Sequence, residues 1–551
     1  MLDNANKLTN LKTEADLFGI STFLDVLHYQ ASFQPQETAF IFLKDGETES
    51  GRITYAELVS RARCITGCLQ AHEIKPGDRA LLLYPSGLEF IIAFLGCLSA
   101  GVIAVPNKAP QSKRDLSRLQ AIAADAEASI ILTDSQILAE RNQKLAYPPE
   151  LGLVPWAATD TNQWNTSCFP EVTGDTLAFL QYTSGSTSLP KGVMLSHNNI
   201  LHNQKLIQKA FEHDSQTVIV SWLPLFHDMG LIGNVLQPIY LGRPCIIMPP
   251  IAFLQNPVRW LKAISKYKAT TSGGPNFAYD YCVRKVAEAQ KSELDLSNWS
   301  IAFNGSEPVR YETLIKFASS FAQCGFRPES FYPCYGMAET TLMISGSNKS
   351  TFPKNLSINK SALTQNHLKP EESSATQILV SNGQVGYDLE VIIVHPETLT
   401  IRQPDQVGEI WVSGASVAQG YWRRTTETAY AFQAYLKDEN RGPFLRTGDL
   451  GFLHDSELYF TGRFKDLIII RGNNYYPQDI ELSVESSHQK IRSNCSASFS
   501  IEVHETEQLV IVAEVERNCD NYSEVIRSIR NRVGSDYDLA VYAVEIGRAH
   551  V

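Results

Sequence analysis

From residue 181 to 197 the chain reads Gln-Tyr-Thr-Ser-Gly-Ser-Thr-Ser-Leu-Pro-Lys-Gly-Val-Met-Leu-Ser-His. Thr183, Ser184, Gly185, Ser186 and Thr187 supply hydroxyls and a backbone free of bulk, and Lys191 supplies a mobile cation. Phosphates are held by backbone N–H groups that approach closely and by positive charge, so this run suits a polyphosphate tail. It is not a Walker loop: the G-x-x-x-x-G-K-S/T spacing is absent, and the lysine precedes Gly192 and an apolar run rather than a helix. Apolar residues at 177–180 and 193–195 predict strand, loop and strand. Taken alone, the stretch is equally compatible with a plain surface hairpin.

Other stretches carry chemistry-bearing side chains in a fixed order. They are Ser221-Trp-Leu-Pro-Leu-Phe-His227-Asp-Met-Gly230, Tyr335-Gly336-Met337-Ala338-Glu339-Thr340, Thr447-Gly448-Asp449 and Gly462-Arg463-Phe464-Lys465-Asp466. Singly, Tyr335 could be a core aromatic, Asp449 a turn residue, Glu339 a solvated helix residue and His227 a structural histidine. Together with the hairpin they resemble the acyl-adenylate-forming superfamily, which includes acyl-CoA synthetases, luciferase-type enzymes and peptide-synthetase adenylation domains. The resemblance runs from about Phe23 to the C-terminus.

That resemblance implies ATP and Mg²⁺. Thr183 and Glu339 would hold the metal, a hard cation suited by hydroxyl and carboxylate oxygens. Ser184, Gly185, Ser186, Thr187 and Lys191 would cradle the phosphates. Tyr335, with Gly336 and Met337, would stack on adenine, and Gly305, Ser306, Glu307 and Pro308 would wall its other side. Asp449 would accept from the ribose hydroxyls, Arg463 would contact ribose or phosphate, and His227 would face the reacting carboxylate. Met229, Gly230, Gly274 and Phe277 would line an acyl channel. In the implied reaction a carboxylate attacks the α-phosphorus of ATP in line and expels pyrophosphate. A thiol then attacks the mixed anhydride and AMP leaves. Lys465 would mark the hinge about which a small C-terminal domain swings between the steps.

Several segments, among them Ser272-Gly-Gly-Pro-Asn-Phe-Ala-Tyr-Asp-Tyr281, Ala302-Phe-Asn-Gly-Ser-Glu-Pro308 and Tyr475-Tyr-Pro-Gln-Asp-Ile-Glu481, resemble the fatty acyl-AMP ligase branch. This implies a medium-to-long-chain fatty acid. It also implies transfer to the phosphopantetheine thiol of an acyl carrier protein, or of a polyketide or peptide synthase carrier domain. In that branch an extra segment restrains the small domain and disfavours coenzyme A; the polar stretch 349–376, expected as an insertion or surface loop, occupies its place. A long-chain acyl-CoA synthetase is the nearest rival. A non-catalytic adenylate-binding protein is a second, because the Thr-x-x-Gly-Lys stretch that ends family members is missing. The last six residues, Ile-Gly-Arg-Ala-His-Val, read as the translation of a common sequencing-adapter oligonucleotide, so the sequence is expected to be cut short and the chain as written to adenylate poorly.

The elements that must position these residues follow from patterning. At 551 residues the chain needs more than one core. From Arg79 onward, buried strands (79–84, 102–105 ended by Pro106, 130–132, 218–220, 245–247, 269–271, 301–303) alternate with helices (88–100, 116–126, 231–240, 257–266, 279–289). This predicts an α/β fold with two helix-covered, mostly parallel sheets. Short strands near 391–394, 408–412 and 458–460 predict a β-rich subdomain. The large N-terminal domain is expected over 1–462 and a small mobile α+β C-terminal domain over 463–551. A net charge of −11 offers no basic face for nucleic acid, and no stretch reads as a signal core or membrane span. Ten scattered cysteines without a C-x-x-C pair suit reduced thiols in a cytoplasmic protein.

Overall fold

The computed structural model describes residues 19–110, 112–141, 149–160, 164, 170–183, 190–369, 376–404, 406–471, 473–503 and 506–548. Two large sheets stand side by side. In the first, six strands run in the order Trp156–Ala158, Ile130–Thr133, Arg79–Tyr84, Ile103–Lys108, Leu177–Tyr182 and Gly192–Ser196. All neighbours are parallel except the last pair, the predicted hairpin. The second sheet has a parallel centre of Phe331–Gly336, Ile301–Asn304, Thr271–Gly274, Ile219–Ser221, Cys245–Ile247 and Thr38–Leu43. Its β-rich part (Met343–Gly346, Gln384–Val385, Leu389–Val394, Gly408–Gly414, Leu445–His454 and Glu457–Arg463) is antiparallel and hydrogen-bonded into the same sheet.

The helix Leu88–Ser99 has no polar face, and nearly every side chain in it is buried. It joins a core containing Leu82 and Phe179 from one sheet and Phe40 and Ile219 from the other, as an all-apolar helix must. The far face of the second sheet carries a core rich in aromatics, including Trp260, Trp299, Tyr279, Phe317 and Phe331. Capping boxes at Thr22, Thr54 and Ser196 start three of the helices, satisfying N–H groups the helix itself cannot.

Three expectations are corrected. The strand expected to stop before Pro106 runs on to Lys108, pairing Leu82 with Pro106. On its other side it meets the next strand only at Ala104, so the N–H that proline lacks is not missed. The helix expected over 231–240 is present but not uniformly α: a continuous helical run from Asp228 to Leu241 carries a π turn at Ile232–Leu236, just before Pro238, which lacks the N–H for an ordinary α-helical bond. The stretch 349–376 is not a bare loop. Asn355–Asn359 pairs antiparallel with Thr376–Val380 and is followed by the short helix Lys360–Leu363. Ile358, Leu363 and Leu368 pack with Leu450, Phe452 and Tyr459 of the large sheet and with Tyr476 beyond it.

From Ile468 onward a C-terminal unit has a core of its own. The strands Ile491–Val503, Thr506–Val515 and Val541–Arg548 are covered by the helices Pro477–Ser487 and Tyr522–Tyr537. Among the described residues no helix is long and apolar enough to cross a membrane, and the described cysteines are free, most of them buried.

Candidate adenylate site

The hairpin of the first sheet and the antiparallel part of the second meet around Glu339. Register pairs Gln181 with Val193 and Tyr182 with Gly192, and the Thr183 N–H closes the hairpin on the Lys191 carbonyl at 3.3 Å. The segment 419–422 lies along the outer hairpin strand: Met194 N–H donates to Gly420 O, Trp422 N–H to Gly192 O, and Val193 bridges to Tyr421. Tyr421 is thereby set between two of the predicted residues. Lys191 Nζ lies 4.8 Å from its ring centroid, and its hydroxyl donates to Glu339 Oε1 at 2.9 Å.

Glu339 occupies a single turn, Ala338–Thr340, directly after the strand that ends at Gly336. Its side chain is buried, and burial pushes its carboxyl above the usual range; Tyr421 and the distant Arg463 oppose this while Asp228 adds to it. The carboxylate is therefore within electrostatic reach of Asp228, beside His227, and of Arg463, beside Asp449. A buried carboxylate that takes a hydrogen bond from one phenol still has lone pairs to offer, which suits a cation.

On that same strand, one residue before its end, the Tyr335 hydroxyl donates to Asp449 Oδ2 at 2.7 Å. The Tyr335 ring stacks against Phe460, centroids 6.0 Å apart. Burial pushes the Asp449 carboxyl up to about 6, although Tyr335 and Arg463 pull it down. Arg463 is the cross-strand partner of Asp449, with Nε 3.6 Å from Oδ1.

His227 caps the start of the short helix Asp228–Leu231. Its loop is tied to the hairpin, since Gln181 Nε2 donates to Phe226 O at 3.0 Å. Burial alone would lower the His227 imidazole, but Asp228, with Oδ1 2.6 Å from Nδ1, outweighs it and raises the ring above its ordinary value. Gly230 packs against Pro224: a Cβ there would lie 2.1 Å from the Pro224 carbonyl oxygen. This close backbone approach accounts for the glycine, where room for an acyl chain was expected.

The loop of Gly305, Ser306, Glu307 and Pro308 follows the strand Ile301–Asn304. Glu307 Oε1 accepts from the Phe277 N–H at 2.5 Å, binding this loop to the start of the helix Asn276–Lys285. Gly274 and Phe277 lie on Trp222: a Cβ on Gly274 would be 2.6 Å from the indole, and the Phe277 ring meets it edge-on at 6.0 Å. Met229 is buried in the same core as Trp222. Lys465 stands apart, exposed on the turn Phe464–Asp466 that leaves the last strand of the large sheet. Ser184, Gly185, Ser186 and Thr187 lie outside the described residues.

Two residues that the sequence did not single out belong here. Tyr421 has no local signal beyond an aromatic after a glycine. Arg118 donates to the Thr183 carbonyl at 3.2 Å, bringing a further cation to the hairpin from the helix Lys113–Ala126.

The family described as AMP-binding enzyme matches residues 27–422. The chain belongs to the AMP-binding enzyme family. Over 465–548 this AMP-binding enzyme also matches the AMP domain of Disco-interacting protein 2-like proteins. It is 45% identical over 546 residues to the medium-chain fatty acid–acyl carrier protein ligase JamA of Moorena producens, covering 96% of this chain and 92% of that one. It is 36% identical to the medium-chain fatty acid–acyl carrier protein ligase TtuA of Teredinibacter turnerae, covering 88% and 83%. A crystal structure of fatty acyl-adenylate ligase from L. pneumophila in complex with acyl adenylate and pyrophosphate is similar with a TM-score of 0.79 at 42% identity, covering 98% and 94%. The adenylate-forming fold expected from the ordered motifs is the fold found.

Proposed function

We propose that this AMP-binding enzyme is a fatty acyl-AMP ligase. It activates a medium-to-long-chain fatty acid with ATP and passes the acyl group to the phosphopantetheine thiol of an acyl carrier protein. The observation that carries the assignment is the meeting of Lys191 and Glu339 on Tyr421, with Asp449 and His227 on the flanking elements. Its relatives JamA and TtuA are named as acyl carrier protein ligases.

In this reading Asp449 orients the ribose, with Tyr335 and the 305–308 loop on either side of adenine. Lys191, supported by Arg118 behind the hairpin, draws the phosphates toward the first sheet. Glu339 and Thr183 would hold Mg²⁺, which when bound neutralises phosphate charge. His227, kept cationic longer by Asp228, lies beside the incoming carboxylate, lowering repulsion between it and the α-phosphate. Water is kept out by the apolar walls of the channel at Trp222 and Phe277.

The thiol acceptor is read from the paired strands Asn355–Asn359 and Thr376–Val380 and the turn after the helix Lys360–Leu363. Besides the shared apolar core, Gln377 Nε2 donates to Asp479 Oδ1 at 2.7 Å and Asn474 N–H donates to the Thr364 carbonyl. These contacts fasten the C-terminal unit to the large domain, as the branch resembled in sequence uses its extra segment to disfavour coenzyme A. The 463–551 segment is accordingly proposed as the small moving domain, with Lys465 at its hinge. The free cysteines support a cytoplasmic setting.

The test is mass spectrometry of products from the full-length enzyme, ATP, mixed fatty acids and both acceptors. Acylated carrier protein with little acyl-CoA is expected. Efficient acyl-CoA formation would favour the synthetase rival, and absence of acyl-AMP would remove the assignment.

A further inference from the structure

Arg310 sits where the 305–308 loop enters the helix Tyr311–Phe321. Its backbone N–H donates to Asn276 Oδ1 at 3.1 Å, and Asn304 Nδ2 reaches the same oxygen at 3.4 Å. Both ends of the loop are thus stitched to the start of the helix Asn276–Lys285, and Glu307 adds its own bond to Phe277. The guanidinium leaves in the other direction. Its Nη1 lies 3.7 Å from Glu485 Oε2, on the helix Pro477–Ser487 of the C-terminal unit. Ser496 Oγ holds that carboxylate from behind at 2.8 Å. The Glu485 side chain is only 8% exposed and that of Arg310 24%, so solvent screens the pair weakly.

Two further acids of the same helix, Asp479 and Glu481, are pushed toward the neutral form by burial, and Arg310 pulls each back toward charge. It does the same for Glu307 in the loop. One cation therefore serves carboxylates on both sides of the domain junction. At the centre of the loop, Ser306 has φ 71°, a left-handed backbone that a non-glycine residue holds only at some cost.

We propose that Arg310 is a positioning residue that couples purine-nucleotide occupancy of the 305–308 loop to docking of the C-terminal unit, through its ion pair with Glu485. The proposal rests on the functional reading above. A ring packed on the loop fixes its backbone, so Arg310 has less freedom to lose on meeting Glu485. Nucleotide then strengthens docking, and docking strengthens nucleotide binding in return.

The experiment digests the full chain with chymotrypsin, reading cleavage at the exposed Phe464 junction, with and without saturating α,β-methylene-ATP. Binding of the analogue is measured alongside by calorimetry. In the wild type the analogue binds and slows cleavage by about fivefold or more. Arg310→Gln and Glu485→Gln still bind the analogue but lose the protection, and the double variant loses no more than either single one. Arg310→Lys, which keeps the charge, restores most of it. Protection retained in Arg310→Gln, or losses that simply add in the double variant, would overturn the coupling while leaving the functional reading intact. A wild type that does not bind the analogue would remove both.

Discussion

The hydroxyl of Tyr335 donates to Asp449 Oδ2 across 2.7 Å, and in the proposed reading Asp449 uses its charge to accept from ribose. Its carboxyl is pushed up to about 6 by burial, with Tyr335 and Arg463 resisting. As pH falls through about 6 the group takes a proton, and ATP affinity falls with it; above pH 7 it is charged and affinity is flat. Asp449→Asn should raise KM for ATP about 10- to 100-fold at pH 7.5, the worth of hydrogen bonds to a charged group, and should lose this acid limb. Tyr335→Phe removes a contact that favours the charged form, so its limb should move to higher pH. Pyrophosphate exchange from pH 5 to 8 checks both, and an unchanged limb in Asp449→Asn would refute the assignment.

Tyr421 touches Lys191 through its ring and Glu339 through its hydroxyl, so two substitutions separate the contacts. Tyr421→Phe keeps the ring and drops the hydrogen bond. It should weaken the apparent Mg²⁺ affinity while leaving KM for ATP within about twofold, as expected when a cation–π contact survives. Tyr421→Leu should raise KM for ATP as well. Glu339→Gln should lower kcat by about 10²-fold or more, the scale for losing one electrostatic contributor. Magnesium titrations of adenylation distinguish these outcomes; identical behaviour of the Phe and Leu variants would show that the ring does nothing for Lys191.

These relationships also show what the sequence can carry. The βαβ alternation announces two sheets because parallel strands must be joined by crossovers that cover them. The hairpin at 177–196 is legible because its apolar runs flank an obvious loop. That Tyr335 bonds to Asp449 is not legible: the two are far apart in the chain, and only the antiparallel continuation of the second sheet brings them together. Tyr421 is hidden for the same reason, since its meaning comes from Lys191 and Glu339 arriving from separate sheets. The stretch 349–376 reads as loop because its apolar residues are sparse. Ile358, Leu363 and Leu368 become core only when Leu450, Phe452, Tyr459 and Tyr476 supply the other wall.

Asp479 makes domain docking sensitive to pH. Its carboxyl is raised to about 6 by burial, against the pull of Gln377, Lys360 and Arg310 and with Glu481 adding to the rise. A carboxyl raised in the folded state favours the protonated form there. The stabilisation is complete below its ordinary value near 3.8 and is lost as pH rises through about 6. Asp479→Asn cannot titrate, and its amide oxygen still accepts from Gln377. It should match the wild type near pH 3 and exceed it at pH 7.5 by up to about 3 kcal/mol, because each tenfold change in proton affinity between the folded and unfolded chain is worth about 1.36 kcal/mol. Thermal unfolding at the two pH values tests this, and a variant less stable than wild type at pH 7.5 would show that the ionised carboxylate is a net anchor.

The proposed acyl channel makes the last prediction. Trp222 stacks on Phe253 with ring centroids 4.0 Å apart and meets Phe277 and Trp260 edge-on, so the indole is held from several sides. Gly274 fits against it only because it lacks a Cβ, which would fall 2.6 Å from the ring. Wild-type kcat/KM should climb about fourfold per added CH₂ until the channel is filled, from a transfer term of about 0.8 kcal/mol each, leaving dodecanoate far above acetate. Gly274→Val must displace the indole, and a shift of the ring toward Phe277 would shorten the proposed channel. The variant should therefore keep its rate on short acids and lose it on long ones, moving the optimum to shorter chains. Pyrophosphate release across a series of straight-chain acids measures the shift. Equal rates for acetate and dodecanoate in the wild type would remove the channel from the account, and a uniform loss in Gly274→Val would place Gly274 in packing alone.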